Sequence, residues 1–333
     1  MTETVLVTGG TGYIAGWCIT DLLSRDYRVR TTVRDTARER VVRSAVGTVV
    51  DAGDRLDFAV ADLTSPAGCD AAVDGVDYVL HVASPLSGDD MLTPARDGAR
   101  NVLSAAAAAG VKRVVMTSAA NAASPSSYTE EGITDETLWT DPEDPTIIPY
   151  RRAKTVAEKA AWDFMASHDG PMTLTTILPG AVFGPILSPD SIGSVRIVER
   201  MLKGSMPGSP RIGLEIVDVR DLADVHVRAM VTPEAAGQRF LATGEFTWMR
   251  DMARTLRDGL GPAGAKVSTR QLPDWLVRLT SVFDPSLRDI TVSLGRRNRH
   301  TTEKAARLLD WRPRPSAPTV IDCATSLVDH GVV

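Results

Sequence analysis

Residues 5–17 read VLVTGGTGYIAGW: an apolar strand, a turn holding Gly9, Gly10 and Gly12, and the opening of a helix that carries Gly16. Glycines in such a turn permit a tight reversal and take away the side chain that would block a pyrophosphate. They also let the helix N-terminus aim its unpaired N–H groups at the phosphates. The spacing is not the six-residue G-x-G-x-x-G form, and Ala15 stands where a third glycine would. Thr8, Gly9, Gly12, Tyr13 and Ile14 are the residues expected against a dinucleotide.

Outward from this turn the same alternation repeats. Short β-branched runs at 5–8, 29–33, 56–61, 77–82, 112–118 and 174–178 are separated by helical patterns at 13–25, 67–73, 92–109 and 151–168. Parallel neighbours need a crossover, and short apolar strands need cover on both faces, so the pattern predicts an α/β fold with a doubly wound parallel sheet. After Pro179 the rhythm breaks into turn formers around a helix near 191–203. The stretch EIVDVRDLADVHVRAMV at 215–231 is expected to rejoin the sheet as a strand and a helix, while 243–333 is mixed, with helical patterns near 247–259, 273–283 and 301–309. The expected division is a nucleotide lobe over 1–180 with 214–242 returning to it, and a smaller substrate lobe built from 181–213 and 243–333.

The totals narrow the partners. The 333 residues carry 37 Lys plus Arg against 42 Asp plus Glu, a net charge of −5 without a dense basic block, which argues against nucleic acid. Cys18, Cys69 and Cys323 are scattered and show no metal-ligand spacing, so no metal is expected and a reducing compartment is. The N-terminus lacks a cationic leader and no run of about 18 apolar residues occurs, so the expectation is a cytoplasmic protein, monomer or homodimer, acting on a small molecule away from membranes.

The end of the second strand decides which dinucleotide is taken, because it faces the adenosine ribose. Arg34 stands there, with Arg38 and Arg40 close behind. A carboxylate would accept from a 2′-hydroxyl; a guanidinium offers fork-shaped donors to a 2′-phosphate, so NADPH/NADP⁺ is the expected cofactor. Asp35 is the competing inward carboxylate. Asp62 and Leu63, after the third strand, sit where a carboxylate can accept from the adenine amino group. In HVASP (81–85) the small residues Ala83 and Ser84, next to Val82, let the cofactor lie against backbone, and His81 reads as a packed strand-end histidine.

YRRAK at 150–154 puts a phenol and an ammonium four residues apart, on one face at the start of a helix. A phenol with a reference pKa of about 10 is a poor acid at neutral pH, and a nearby cation favours its ionised form. The order glycine loop, Thr-Ser strand end, tyrosine helix resembles the extended short-chain dehydrogenase/reductase family, and within it the dihydroflavonol-4-reductase-like aldehyde and ketone reductases. Further residues carry the likeness: TVRD at 32–35, ADL at 61–63, HVASP, Asn101 in NVL, PGAVFGP at 179–185, VDVRDLADVH at 217–226 and KAARLLDWRPR at 304–314. The resemblance implies a Rossmann-type lobe, NADPH-dependent carbonyl reduction, Tyr150 as proton donor and Lys154 on the nicotinamide ribose. Thr117 would lie beside the cofactor, and Pro179 and Val182 near its nicotinamide ring.

One position departs from the family. Its fifth strand usually ends Thr-Ser-Ser, and the last serine donates to the substrate oxygen; TSAAN here aligns Ala119 with it. Ser118 is the expected third catalytic residue, provided the strand has already loosened into a loop, since neighbouring strand residues face opposite ways. Thr117 faces correctly but lies about 7 Å further back. Asn121 and the hydroxyls of SPSS at 124–127 are the remaining candidates. Two other functions stay in view: a nucleotide-sugar epimerase or dehydratase with tightly held NAD, which Arg34 disfavours, and a cofactor-binding sensor or scaffold without turnover, which Ala119 allows. Trp248, Met249, Trp275 and Phe283 are either core or the lining of an apolar substrate pocket.

Overall fold

The computed structural model describes residues 2–84, 91–125, 131–190, 193–283 and 290–333. Pro85 of HVASP and the Ser126 and Ser127 hydroxyls lie outside them.

Strand β1 (Thr4–Val7) is short, apolar and buried, and runs into helix α1 (Tyr13–Ser24) through the glycine turn. Around it β2 (Arg28–Val33), β3 (Leu56–Val60), β4 (Tyr78–His81), β5 (Arg113–Thr117), β7 (Thr173–Pro179) and β10 (Arg239–Ala242) form one seven-stranded sheet. Its order is β10-β7-β5-β4-β1-β2-β3, with every pairing parallel. The chain winds one way from β1 to β3 and the other way from β4 to β10, so the direction switches between β1 and β4. Ligands of open parallel sheets bind outside the strand C-termini at this switch.

Both faces are covered, as parallel strands require. On one, α1 and α7 (Val219–Val231) contribute Ile19, Leu22, Leu222 and Val225 to a core shared with Val5, Val7 and Val29. On the other, α4 (Leu92–Ala108) and α5 (Pro149–Ala166) bury Ala99, Val102, Leu103, Ala153 and Ala157 against Leu6, Val79 and Val114. The small residues bring α4 and α5 close to the sheet, which seats Lys154, 6% exposed, at its surface.

The smaller lobe has its own core. A three-stranded mixed sheet, β11 (Glu245–Trp248), β9 (Gly213–Asp218) and β8 (Ala181–Phe183), is backed by α6 (Arg196–Leu202), α8 (Met249–Gly259) and the helix Ser316–Asp329. In α8 the buried residues are Met249, Met252, Ala253 and Leu256, an i, i+3, i+4, i+7 stripe. The stretch 215–231 therefore divides: α7 packs under the central sheet, but β9 pairs with β8 and β11 instead of rejoining it. The physical reason is the edge, since β10 occupies the place beside β7 that β9 would have taken. Trp311, 1% exposed, donates Nε1–H to the Asp221 carbonyl (2.8 Å) and fastens the C-terminal segment to α7.

Candidate active site

A cleft of about 1180 Å³ opens over the switch point and runs into the smaller lobe. Every residue expected against the cofactor lines it: Thr8, Gly9, Gly12, Tyr13 and Ile14 from the first turn, Arg34 after β2, Asp62 and Leu63 after β3, Val82, Ala83 and Ser84 after β4, Thr117, Tyr150 and Lys154, and Pro179 and Val182.

The glycine turn explains its own composition. Gly9 holds φ +75°, and a Cβ there would stand 2.9 Å from Cβ of Ala83, so a side chain would be both strained and blocked. Gly9 N donates to Thr32 Oγ1 (2.8 Å) and Gly12 N to Gly9 O (2.8 Å). Helix α1 starts at Gly12 with no side-chain cap and no acidic residue in its first turn, which leaves its leading N–H groups for an anion. Tyr13 and Trp17 then tie α1 to the residues just past β8, donating to Gly184 O and Pro185 O, each at 2.8 Å. Beneath the turn, Thr8 Oγ1 accepts from Val82 N (3.1 Å) and Ala83 N (3.0 Å), so its own proton goes to His81 Nδ1 (3.0 Å). His81 is buried and held neutral by desolvation, its pKa pushed down to about 4; it braces Thr8 from behind and is not part of the cleft lining.

At the adenosine end, the Asp35 carboxylate accepts from Ala37 N (2.9 Å), capping the next turn rather than facing the cleft. Arg38 pairs with Asp190 (3.5 Å). Arg34 makes no hydrogen bond among the described residues and faces the open cleft. Asp62 Oδ1 accepts from Thr64 N and Oγ1 (2.8 and 2.7 Å), which, with the nearby Arg34, holds its carboxyl below the usual range.

At the other end, Tyr150 and Lys154 occupy the first turns of α5. Burial pushes the Tyr150 phenol above its ordinary value, and burial brings the Lys154 ammonium down to about 8 against an opposing pull from Glu158. The expected lowering of the phenol by the lysine does not accompany this shift, which burial alone accounts for. Lys154 Nζ points to the Thr117 carbonyl (3.5 Å). Thr117 Oγ1 bonds His226 Nε2 (2.7 Å); His226 Nδ1 lies 2.7 Å from Leu222 O and must carry the ring proton, so Thr117 is the donor of its bond.

Residues 5–242 match the family model described as "NAD dependent epimerase/dehydratase family". The chain belongs to this family of extended short-chain dehydrogenase/reductases. It is 36% identical over 260 residues to cinnamoyl-CoA reductase 1 of Oryza sativa subsp. japonica, covering 77% of this chain and 75% of that one. It is 32% identical over 275 residues to an anthocyanidin reductase of Vitis vinifera (76% and 80% covered). The solved structure of Gre2 in complex with NADPH from Candida albicans superposes with a TM-score of 0.79 at 27% identity, over 98% of this chain and 99% of that one.

Against this family's pattern Ser118 takes a different course. Its N–H still bonds Ile177 O (2.7 Å), and Ala119 keeps extended torsions (φ −156°, ψ 147°). The backbone stays extended past the end of β5, so alternation turns Ser118 away from the side Ala119 faces. Its hydroxyl, 2% exposed, donates to Glu158 Oε2 at 2.6 Å. Glu158, fully buried, also accepts from Thr176 Oγ1 (2.8 Å) and Arg239 Nε (2.8 Å). Sequence reading missed this carboxylate although a signal was present: Tyr150, Lys154 and Glu158 are spaced by four on one helix face.

The end of the cleft toward the smaller lobe carries groups that no spacing announced. His300 Nδ1 pairs with Glu215 Oε2 (2.5 Å) and its Nε2 lies 2.8 Å from Ser124 Oγ; all three line the cleft, with Phe246. Of the residues considered for an apolar pocket, Met249 is core, Trp248 stacks edge-on against Phe246 with centroids 5.0 Å apart, and Trp275 and Phe283 are 66% and 83% exposed. None of the four lines the cleft. The three cysteines are free and buried, and no helix among the described residues is long and apolar enough to cross a membrane.

Proposed function

We propose that this chain is an NADPH-dependent reductase of aldehydes and ketones, able to run the reverse oxidation of alcohols, with Tyr150 as proton donor. The observation that carries the reading is the single continuous cleft joining the glycine turn and Arg34 to Tyr150 and Lys154. The residues present fit the cofactor: an uncapped helix start for the pyrophosphate and, for the 2′-phosphate, a guanidinium that lines the cleft without a hydrogen bond among the described residues. When bound, the cofactor would supply the hydride that reduces a carbonyl carbon. Tyr150 donates its phenolic proton to the carbonyl oxygen, and Lys154 holds the ribose and keeps a positive charge under the developing phenolate. Ser118, with its proton given to Glu158, positions α5 on the sheet. The likeness to cinnamoyl-CoA and anthocyanidin reductases and to Gre2 solved with NADPH supports the reading as well.

The test is NADPH consumption across a panel of aldehydes and ketones. Turnover with none of them overturns the reading in favour of a binding protein, and tightly held NAD released on denaturation would favour an epimerase. Two further outcomes are expected. Arg34→Glu weakens NADPH binding by about 2–3 kcal/mol, or roughly 30- to 160-fold, and tightens NADH binding, read by paired fluorescence titrations. Lys154 is cationic below a pKa of about 8, and the anionic cofactor binds the cation better, so the NADPH dissociation constant rises as pH passes 8. In Lys154→Met that rise disappears.

A further inference from the structure

Resting on the reductase reading, we infer that Asn121 is the second donor to the substrate oxygen, its carboxamide N–H replacing the serine hydroxyl that Ala119 lacks. The argument is a count of protons. After β5 three hydroxyls border the cleft, from Thr117, Ser118 and Ser124. Thr117 gives its proton to His226 Nε2, because His226 Nδ1 is already the donor toward Leu222 O. Ser118 gives its proton to the Glu158 carboxylate, which can only accept. Ser124 Oγ has one proton and two internal neighbours for it, Ala120 O (2.9 Å) and His300 Nε2 (2.8 Å). None of the three retains a proton for a substrate.

Asn121 differs in each respect. It lies two residues beyond Ala119 in the 3₁₀ turn Ala120–Ala123, is exposed, and lines the cleft, and its carboxamide makes no hydrogen bond among the described residues. Its backbone is nonetheless fixed: the carbonyl accepts from Arg151 Nε (2.9 Å) and Thr140 Oγ1 (2.7 Å). Arg151 follows Tyr150 in sequence and is 2% exposed, so the turn carrying Asn121 is stapled to the first turn of the helix carrying the acid. A rigid backbone with an uncommitted N–H donor is what stabilising a developing oxyanion requires, since no reorganisation is then needed as charge builds.

The experiment compares the parent, Asn121→Ala, Asn121→Asp and the double variant Asn121→Ala/Ala119→Ser, measuring kcat, KM and the NADPH dissociation constant. Asn121→Ala and Asn121→Asp are expected to lose about 10²-fold in kcat with cofactor affinity unchanged, because both lack the donor and only one changes size. Adding Ala119→Ser restores at least about tenfold, by returning a hydroxyl to the face where the family carries it. A purely structural role for Asn121 would give no such rescue. Turnover within threefold of the parent in Asn121→Ala overturns the inference, as does loss confined to Asn121→Asp. If the parent reduces no carbonyl, or Tyr150→Phe is as active as the parent, the reductase reading itself has failed; an inactive Tyr150→Phe beside a fully active Asn121→Ala means that only the inference has.

Discussion

Tyr150→Phe is expected to lower carbonyl turnover by about 10³–10⁴-fold while leaving NADPH affinity within about twofold of the parent. The substitution keeps the ring and removes only the proton. Burial raises the phenol's pKa, so it stays protonated well beyond neutral pH. That makes it a weak acid in the ground state, yet an adequate one in the transition state, because an oxygen acquiring alkoxide character is far more basic than a phenolate. Lys154, with a pKa of about 8, is largely cationic at neutral pH and one helical turn away, so the phenolate left behind forms beside a positive charge. Reduction should therefore persist at neutral pH, and the reverse oxidation, which needs the phenolate, should rise with pH. Single-turnover rates with bound cofactor measure the chemical step directly, and a loss smaller than tenfold would remove Tyr150 from the acid's role.

What the sequence disclosed and what it concealed follow from how far each interaction reaches along the chain. The parallel sheet is written in repeated local patterns, each strand and helix carrying its own periodicity, and Tyr150 and Lys154 are one helical turn apart. The His300–Glu215 pair joins residues 85 apart and has no local signature. The two-stranded sheet of β6 (Glu131–Thr134) and β12 (Arg297–His300) is short and polar, EGIT against RNRH, so it has no apolar alternation to detect. At Ser118 the doubt concerned a single torsional question, whether the strand continues through Ala119. The paired strand ends at Thr117 but Ala119 keeps extended torsions, and one residue's alternation then decides that the hydroxyl meets Glu158. Trp275 and Phe283 are concealed differently: an aromatic at a helical position signals burial only when something packs over it, and the described residues leave both exposed.

The carboxylate that Ser118 meets should matter as much to stability as Tyr150 does to turnover. Glu158 lies between α5 and the sheet with no exposed side-chain surface, paired with Arg239, itself 8% exposed. Arg239 goes on to donate Nη1–H to the carbonyls of Glu136 (2.6 Å) and Leu138 (2.9 Å), and its guanidinium stacks 3.5 Å from the Trp139 ring centroid. The guanidinium is thus fixed by four residues, Glu158 of α5 and Glu136, Leu138 and Trp139 of one loop, and cannot swing into water if its anion is lost. Glu158→Ala strands that buried charge and leaves the Ser118 and Thr176 hydroxyls without their acceptor, an expected cost of about 3–5 kcal/mol in urea unfolding. Since domains are stable by only about 5–15 kcal/mol, the variant should sit close to unfolding. Removing the cation as well separates the explanations: Glu158→Ala/Arg239→Met should regain at least half of the loss, because an apolar pair need not pay for buried charge. A single variant costing under about 1 kcal/mol, or a double variant less stable than the single, would mean that the pair is not held as buried ions. The same carboxylate opposes the desolvation of Lys154 one turn away, so in a Glu158→Gln protein that folds, the pH above which NADPH binding weakens should move below 8.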